Sequence, residues 1–81
     1  MKTKEEIAAQ IVKMLQDEFV PENVTPDCHL ANDLGLDSLE TFDFALELEN
    51  KFNVSLEEKE ITGMKALTIA QIAEKIYEKQ D

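Results

Sequence analysis

Apolar residues recur at helical spacing in the first stretch of this 81-residue chain, where every third or fourth position is aliphatic from Ile7 onward. This pattern is typical of a helix with one face toward a core. Thr3 and Glu6, three positions apart, form a capping-box pair just before it. We expect a first helix from about Lys4 to about Phe19.

The following stretch, to Asp37, has no helical period and contains Pro21 and Pro26, which predicts a long loop. Its apolar residues are expected to turn inward as anchors: Val24, Leu30, Leu34 and Leu36. From Ser38 to about Phe52 the chain lacks Gly and Pro, and it reads as a second helix that ends near Asn53.

Two further elements follow. Ser55 with Glu58 resembles a capping box that opens a short acidic turn, Glu57–Ile61, closed by Gly63. A second box, Thr68 with Gln71, introduces a last helix that extends to about Glu78. The sequence therefore predicts an all-α domain over residues 1–81, a small bundle of three main helices plus one short helix, with the long loop between the first and second helices.

The second helix has two apolar faces. At 100° per residue, four residues share a sector that should be buried in the core: Phe44, Ala45, Leu48 and Phe52. Three lie in a second sector, about 60° wide and roughly opposite: Leu39, Phe42 and Leu46. One core cannot easily cover both faces, so the second favours a partner surface. Alternatively, Leu39 and Phe42 fold over the Leu34–Leu36 segment of the loop.

Acidic residues edge this second face. Glu40, Asp43 and Glu47 share one sector, and like charges so spaced cost a helix a few tenths of a kcal/mol per pair. These three acids form either a face that is simply solvated or a contact for a basic partner. The whole chain has 18 acids, 8 lysines and no arginine, a net charge of −10, and residues 27–60 hold ten acids against two lysines. This charge argues against nucleic acid and against an anionic membrane surface.

Cys28 is the single cysteine, so an internal disulfide is impossible and a reducing compartment is expected. No apolar run approaches the length of a membrane span, and residues 1–10 lack the apolar core of a signal peptide. We expect a soluble, cytoplasmic monomer, or a chain whose transit peptide has been removed.

Ser38 lies one residue after Asp37, which forms a capping-box pair with Glu40, so Ser38 could be an ordinary first-turn residue. As a catalytic nucleophile it would need a base, and the single histidine, His29, lies in the loop, where local hydrogen bonding is its expected role. Cys28 beside His29 matches no zinc spacing, and the acids match no calcium loop. We expect no metal site and no catalytic site.

The run DLGLDSLETFDFALELENKF, residues 33–52, resembles the acyl carrier protein family. The shared features are an Asp-Ser-Leu motif at the start of an acidic second helix after a long loop, a short third helix, and a last helix introduced by Thr. The resemblance implies that a phosphopantetheinyl transferase attaches 4'-phosphopantetheine from coenzyme A to Ser38, using magnesium held by the transferase. The thiol of this arm would carry acyl groups as thioesters, so the chain would be a carrier and not an enzyme.

The same resemblance implies a surface read by acyl-transferring and acyl-processing enzymes with basic patches, in fatty-acid or related polyketide and lipid biosynthesis. Its residues would be Asp37, Leu39, Glu40, Phe42, Asp43, Leu46 and Glu49. Four inner residues would bound an interior that can shelter an acyl chain: Phe44, Leu48, Ile61 and Ile72.

Some residues depart from the family pattern. Asn50-Lys51 replaces acids, the link at residues 63–67 is long, and Phe42 and Phe44 are bulky, which leaves a specialised carrier open. Two other functions also stay open. A carrier of aminoacyl or peptidyl groups would share the serine, and an unmodified helical interaction module would use Ser38 only as a first-turn residue.

Overall fold

A computed structural model of the chain describes residues 2–19 and 23–80, and all helices predicted from the sequence are present in it. They are α1 (Lys4–Glu18), α2 (Ser38–Phe52), α3 (Glu58–Gly63) and α4 (Ile69–Lys79), with a 3₁₀ helix (Met64–Ala66) between α3 and α4. The bounds of α1, α2 and α4 agree with the predicted ones to within one residue. The all-α bundle is confirmed. Pro21 lies outside the described residues.

Capping boxes start the three long helices, as predicted. At α1, the Glu6 N–H donates to Thr3 Oγ1 at 3.2 Å and the Thr3 N–H donates to Glu6 Oε1 at 2.9 Å. At α4, Thr68 and Gln71 exchange the same two bonds at 2.9 and 3.1 Å. Each box satisfies two backbone donors that a helix start leaves without partners.

The predicted element Glu57–Ile61 starts within one residue of α3, but the capping box predicted for the start of α3, Ser55 with Glu58, is wrong. The N-cap of α3 is Glu57, whose N–H donates to Glu60 Oε1 at 3.0 Å, and not Ser55. The N–H of half-buried Leu56 donates to Glu49 Oε2 at 2.8 Å, so the chain stays outside the helix until Glu57. Gly63 ends the α-helical hydrogen bonding, but its φ of −73° is right-handed and the chain continues as the 3₁₀ helix.

The core is one cluster of buried side chains from every helix and from the loop. Residues Phe44, Ala45 and Leu48 are fully buried, as predicted, whereas Phe52 is only half-buried because it lies at the core's edge, near the end of α2. α1 packs along α4, and α2 packs against α3 and the 3₁₀ helix. Phe19, just after α1, meets Phe44 edge to face, with ring centroids 6.2 Å apart.

The long loop is anchored as the apolar pattern predicts. Val24, Leu30 and Leu36 are buried, and Leu34 is half-buried. Gly35 ends a helical turn in this loop: its φ is +74°, and its N–H donates to the Ala31 carbonyl at 3.1 Å. A side chain there would be strained by this left-handed backbone.

We predict that Leu30→Ala destabilises the fold by about 2–5 kcal/mol, because it leaves a cavity beneath the loop where a fully buried leucine was. Chemical denaturation monitored by circular dichroism measures this. Leu39→Ala is the matched control, since the Leu39 side chain is 79% exposed and its loss should change the unfolding free energy by about 0.5 kcal/mol or less. Equal effects of the two substitutions would contradict an anchored loop.

Candidate functional site

Ser38 is the first residue of α2 and is exposed. Asp37 is the N-cap: its Oδ1 accepts the Glu40 N–H at 2.8 Å, and its own N–H donates to Glu40 Oε1 at 3.2 Å. The predicted capping box is therefore confirmed. Within residues 2–19 and 23–80, the N–H groups of Ser38 and Leu39 have no hydrogen-bond partner, so two backbone donors lie beside the serine hydroxyl.

The hydroxyl of Ser38 accepts a hydrogen bond from Lys65 Nζ at 3.2 Å. Sequence reasoning missed this contact, because the two residues are 27 positions apart and no local pattern relates them. An ammonium group donates protons and cannot accept one, so Lys65 does not activate the serine as a base would.

His29 is engaged elsewhere, in the local hydrogen bonding that the sequence predicts. Its Nδ1 lies 2.9 Å from Asp33 Oδ2, and its backbone N–H donates to the same oxygen at 2.7 Å. These bonds, the backbone one first, hold the pKa of Asp33 below its usual value. The histidine therefore stabilises the loop.

The loop and the start of α4 bring Ser38 and Lys65 together. The first two N–H groups of α4, those of Ile69 and Ala70, donate to the carbonyls of Cys28 and Pro26 at 3.0 and 2.9 Å. Further along the loop, the Ala31 N–H donates to the Lys65 carbonyl at 3.2 Å. The loop that leads into α2 is thus tied to the segment that carries the lysine.

The outer face of α2 is apolar and open. Leu39, Phe42 and Leu46 are 79%, 45% and 48% exposed, so they do not fold over the loop. Thr41, on the opposite face, is buried, and its hydroxyl donates to the Asp37 carbonyl at 2.8 Å. The two predicted faces of the helix are both present, and three large apolar side chains lie in solvent beside Ser38.

The acids around this face differ in their availability. Asp43 is exposed, whereas Glu40 is held in the capping box. One carboxylate oxygen of Glu49 is used inside the chain, by the Leu56 N–H. Asp43 is therefore the acid on this edge of α2 whose carboxylate has no hydrogen bond to another described residue.

Glu47 pairs with another carboxyl group. A hydrogen bond with Glu18, at the end of α1, raises the pKa of Glu47 to about 7, and partial burial and the charges of Glu18 and Asp43 act in the same direction. Because a further negative charge beside Glu18 and Asp43 is disfavoured, the Glu47 carboxyl keeps its proton to a higher pH than a free glutamate does. The sequence places Glu18 and Glu47 on helices but does not reveal that they meet.

The described residues contain no group of three or more His, Cys, Asp or Glu side chains arranged to hold a metal ion. None of the helices in this part of the chain has the length and apolar character needed to cross a bilayer.

Comparison with known proteins agrees with the resemblance that the Asp37-Ser38-Leu39 motif carries. The sequence model of a family described as "phosphopantetheine attachment site" matches residues 6–76. Among curated relatives, the acyl carrier protein of Amoebophilus asiaticus is 35% identical over 85% of this chain and 86% of its own length. The acyl carrier protein of Cyanidium caldarium is 31% identical over 98% of this chain and 92% of its own.

A third relative is longer than this chain. The mitochondrial acyl carrier protein of Neurospora crassa is 37% identical over 70% of this chain, and the match spans 45% of the relative's length.

We predict that stability falls with rising pH through the titration of Glu47. A carboxyl group whose pKa rises on folding binds its proton more tightly in the folded chain, so each rise in pH between 4.5 and about 7 favours unfolding. Glu47→Gln replaces the carboxyl by a hydrogen-bonding amide beside Glu18 and removes this titration, so the pH-dependent loss of stability should shrink. Thermal melts across this range measure it.

The matched control is Glu74→Gln, which makes the same replacement at an exposed acid on α4. It should leave the pH dependence as in the wild type. An unchanged pH dependence in Glu47→Gln would contradict the raised pKa of Glu47.

Proposed function

Because this chain belongs to the acyl carrier protein family, we propose that it carries acyl groups as thioesters on a 4'-phosphopantetheine arm attached to the hydroxyl of Ser38. The family consists of carriers rather than catalysts. The single observation that carries the proposal is the position of Ser38, exposed at the first residue of α2 beside an open apolar face.

The surroundings of Ser38 suit a phosphodiester. The unpartnered N–H groups of Ser38 and Leu39 and the positive end of the α2 dipole favour an anion at this point. The Lys65 ammonium adds a full positive charge 3.2 Å from the oxygen to be modified. When attached, the arm supplies a terminal thiol for thioester formation. Among the described residues, the side chain that hydrogen-bonds to the Ser38 hydroxyl is the donor Lys65 and not a base, so we propose that the phosphopantetheinyl transferase that uses coenzyme A supplies the base.

We propose the outer face of α2 as the surface for this transferase and for acyl-transferring and acyl-processing enzymes with basic patches. Leu39, Phe42 and Leu46 supply the apolar contact, and Asp43 supplies an available charge. The other proposed contacts, Asp37, Glu40 and Glu49, already have hydrogen bonds within the chain and add mainly negative potential. Such a charged edge favours fast, salt-sensitive association over tight binding.

The proposed pathway is fatty-acid or related polyketide and lipid biosynthesis, with the chain acting as a monomer in the cytoplasm. The acidic second helix favours this role over that of an aminoacyl or peptidyl carrier. The lone Cys28 suits a reducing compartment. Phe44, Leu48, Ile61 and Ile72 are buried around the interior, where we propose that an acyl chain is sheltered.

We predict that the chain gains the mass of one phosphopantetheine when incubated with coenzyme A, magnesium and a broad-specificity transferase. Ser38→Ala should gain nothing, whereas Ser55→Ala, which removes the other serine of the chain, should be modified as the wild type is. Intact-mass spectrometry measures all three.

No gain by the wild type, under conditions that modify a control carrier, would favour an unmodified interaction module. The modified chain then distinguishes the two carrier roles. Loading by a malonyl-transferring enzyme supports the proposed pathway, and loading only by an amino-acid-adenylating enzyme contradicts it.

We predict that Asp43→Lys slows acyl transfer by a basic partner roughly 10-fold at low salt, because it reverses an available charge on the docking surface. The difference from wild type should shrink as salt screens the charges. Transfer kinetics at several salt concentrations measure this, and circular dichroism checks the helices.

Glu40 requires a more conservative substitution, since its side chain belongs to the α2 capping box. Glu40→Gln removes the charge and keeps an oxygen that can accept the Asp37 N–H. Glu74→Lys, on α4, is the control for total charge. If it slows transfer as much as Asp43→Lys, the edge of α2 has no special role.

A further inference from the structure

Lys65 is held next to Ser38 by its own backbone. Met64, the residue before it, is buried, and the Lys65 carbonyl accepts the Ala31 N–H at 3.2 Å. Two residues on, the Leu67 N–H donates to the Met64 carbonyl at 3.0 Å, which closes the 3₁₀ turn. The half-buried lysine side chain therefore starts from an anchored position, which lowers the entropy lost when it forms a contact.

The region around Ser38 is strongly negative, and Lys65 is a positive group within it. Residues 27–60 carry ten acids against two lysines; Asp37 is the N-cap of α2, and Glu40 lies in its first turn. A phosphodiester attached to Ser38 would add a further negative charge to this region. The Lys65 ammonium, already 3.2 Å from Ser38 Oγ, is the neighbouring group that can offset it.

The contact should also strengthen when the serine is modified. In the unmodified chain, the ammonium donates to a neutral hydroxyl. Hydrogen bonds between an ammonium and a phosphate join two opposite charges and are shorter and stronger than bonds with a neutral partner. The free N–H groups of Ser38 and Leu39 provide donors from the helix side.

We propose that Lys65 is a positioning residue for the prosthetic arm: it pairs with the phosphate on Ser38 and holds the phosphate end of the arm against the 3₁₀ helix. This inference rests on the proposed attachment at Ser38. It assigns a role to a residue outside α2, and it predicts that the phosphate end of the arm is restrained before any partner binds.

The test compares four chains after modification with coenzyme A: wild type, Lys65→Met, Lys65→Arg and Lys59→Met. Lys59→Met is the matched control, since it removes the same charge from an exposed position on α3. Intact mass establishes that each chain carries the arm. The readouts are the ³¹P resonance of the phosphodiester and the ¹⁵N relaxation of the arm amide nearest the phosphate, labelled through coenzyme A.

Lys65→Met should shift the ³¹P resonance and increase the mobility of that amide. Lys65→Arg should stay close to the wild type, since a guanidinium also pairs with phosphate, and Lys59→Met should change neither readout. High salt should move the wild type toward Lys65→Met, because the pair lies at the surface. Unchanged readouts in Lys65→Met, or equal changes in Lys59→Met, would overturn the inference.

A second measurement needs no substitution. The ammonium signal of Lys65 in the wild type should move on modification and exchange its protons more slowly, whereas that of Lys59 should not. A static Lys65 signal overturns the inference even if Lys65→Met fails to fold. If the wild type gains no mass, the attachment and this inference fail together. A normal mass gain with unchanged readouts removes only the role of Lys65.

Discussion

The end of the molecule that carries Ser38 depends on the hydrogen bonds between the long loop and the first turn of α4. A helix start leaves backbone donors without partners, and here the loop carbonyls of Pro26 and Cys28 accept two of them while Thr68 caps the next. Buried Leu30 then holds the loop on the core. Because the same loop leads directly into α2, these contacts determine where Ser38 lies.

α2 serves the core and the outer surface at once. Phe44, Ala45 and Leu48 pack inside, while three large apolar side chains remain exposed at a cost to solubility that surrounding acids offset. The acids repel one another, and the chain relieves part of that repulsion locally. The hydrogen bond with Glu18 raises the pKa of Glu47 to about 7, and Glu49 accepts a backbone hydrogen bond. Repulsion among the acids therefore lowers the stability of α2, while its outer apolar face stays exposed.

Within this acidic region, Ser38 has a basic neighbour. Lys65 reaches it from a 3₁₀ helix whose position is set by buried Met64 and by the backbone bond from Ala31. The serine therefore has backbone donors on one side and an ammonium on the other. An anion is favoured beside Ser38 in a chain whose net charge is −10, and the proposed partner surface beside it stays negative.

The sequence by itself determined the long helices, three of their caps and the two faces of α2, because these depend on residues at most a few positions apart, such as Asp37 with Glu40. The cap predicted for α3 was wrong: Ser55 has the right local pattern, but Leu56 packs on the core and Glu49 accepts its N–H, so that Glu57 is the N-cap. Only the tertiary structure paired Ser38 with Lys65 and Glu18 with Glu47. Such pairs join residues far apart in the chain, and the packing that brings them together leaves no periodic signal.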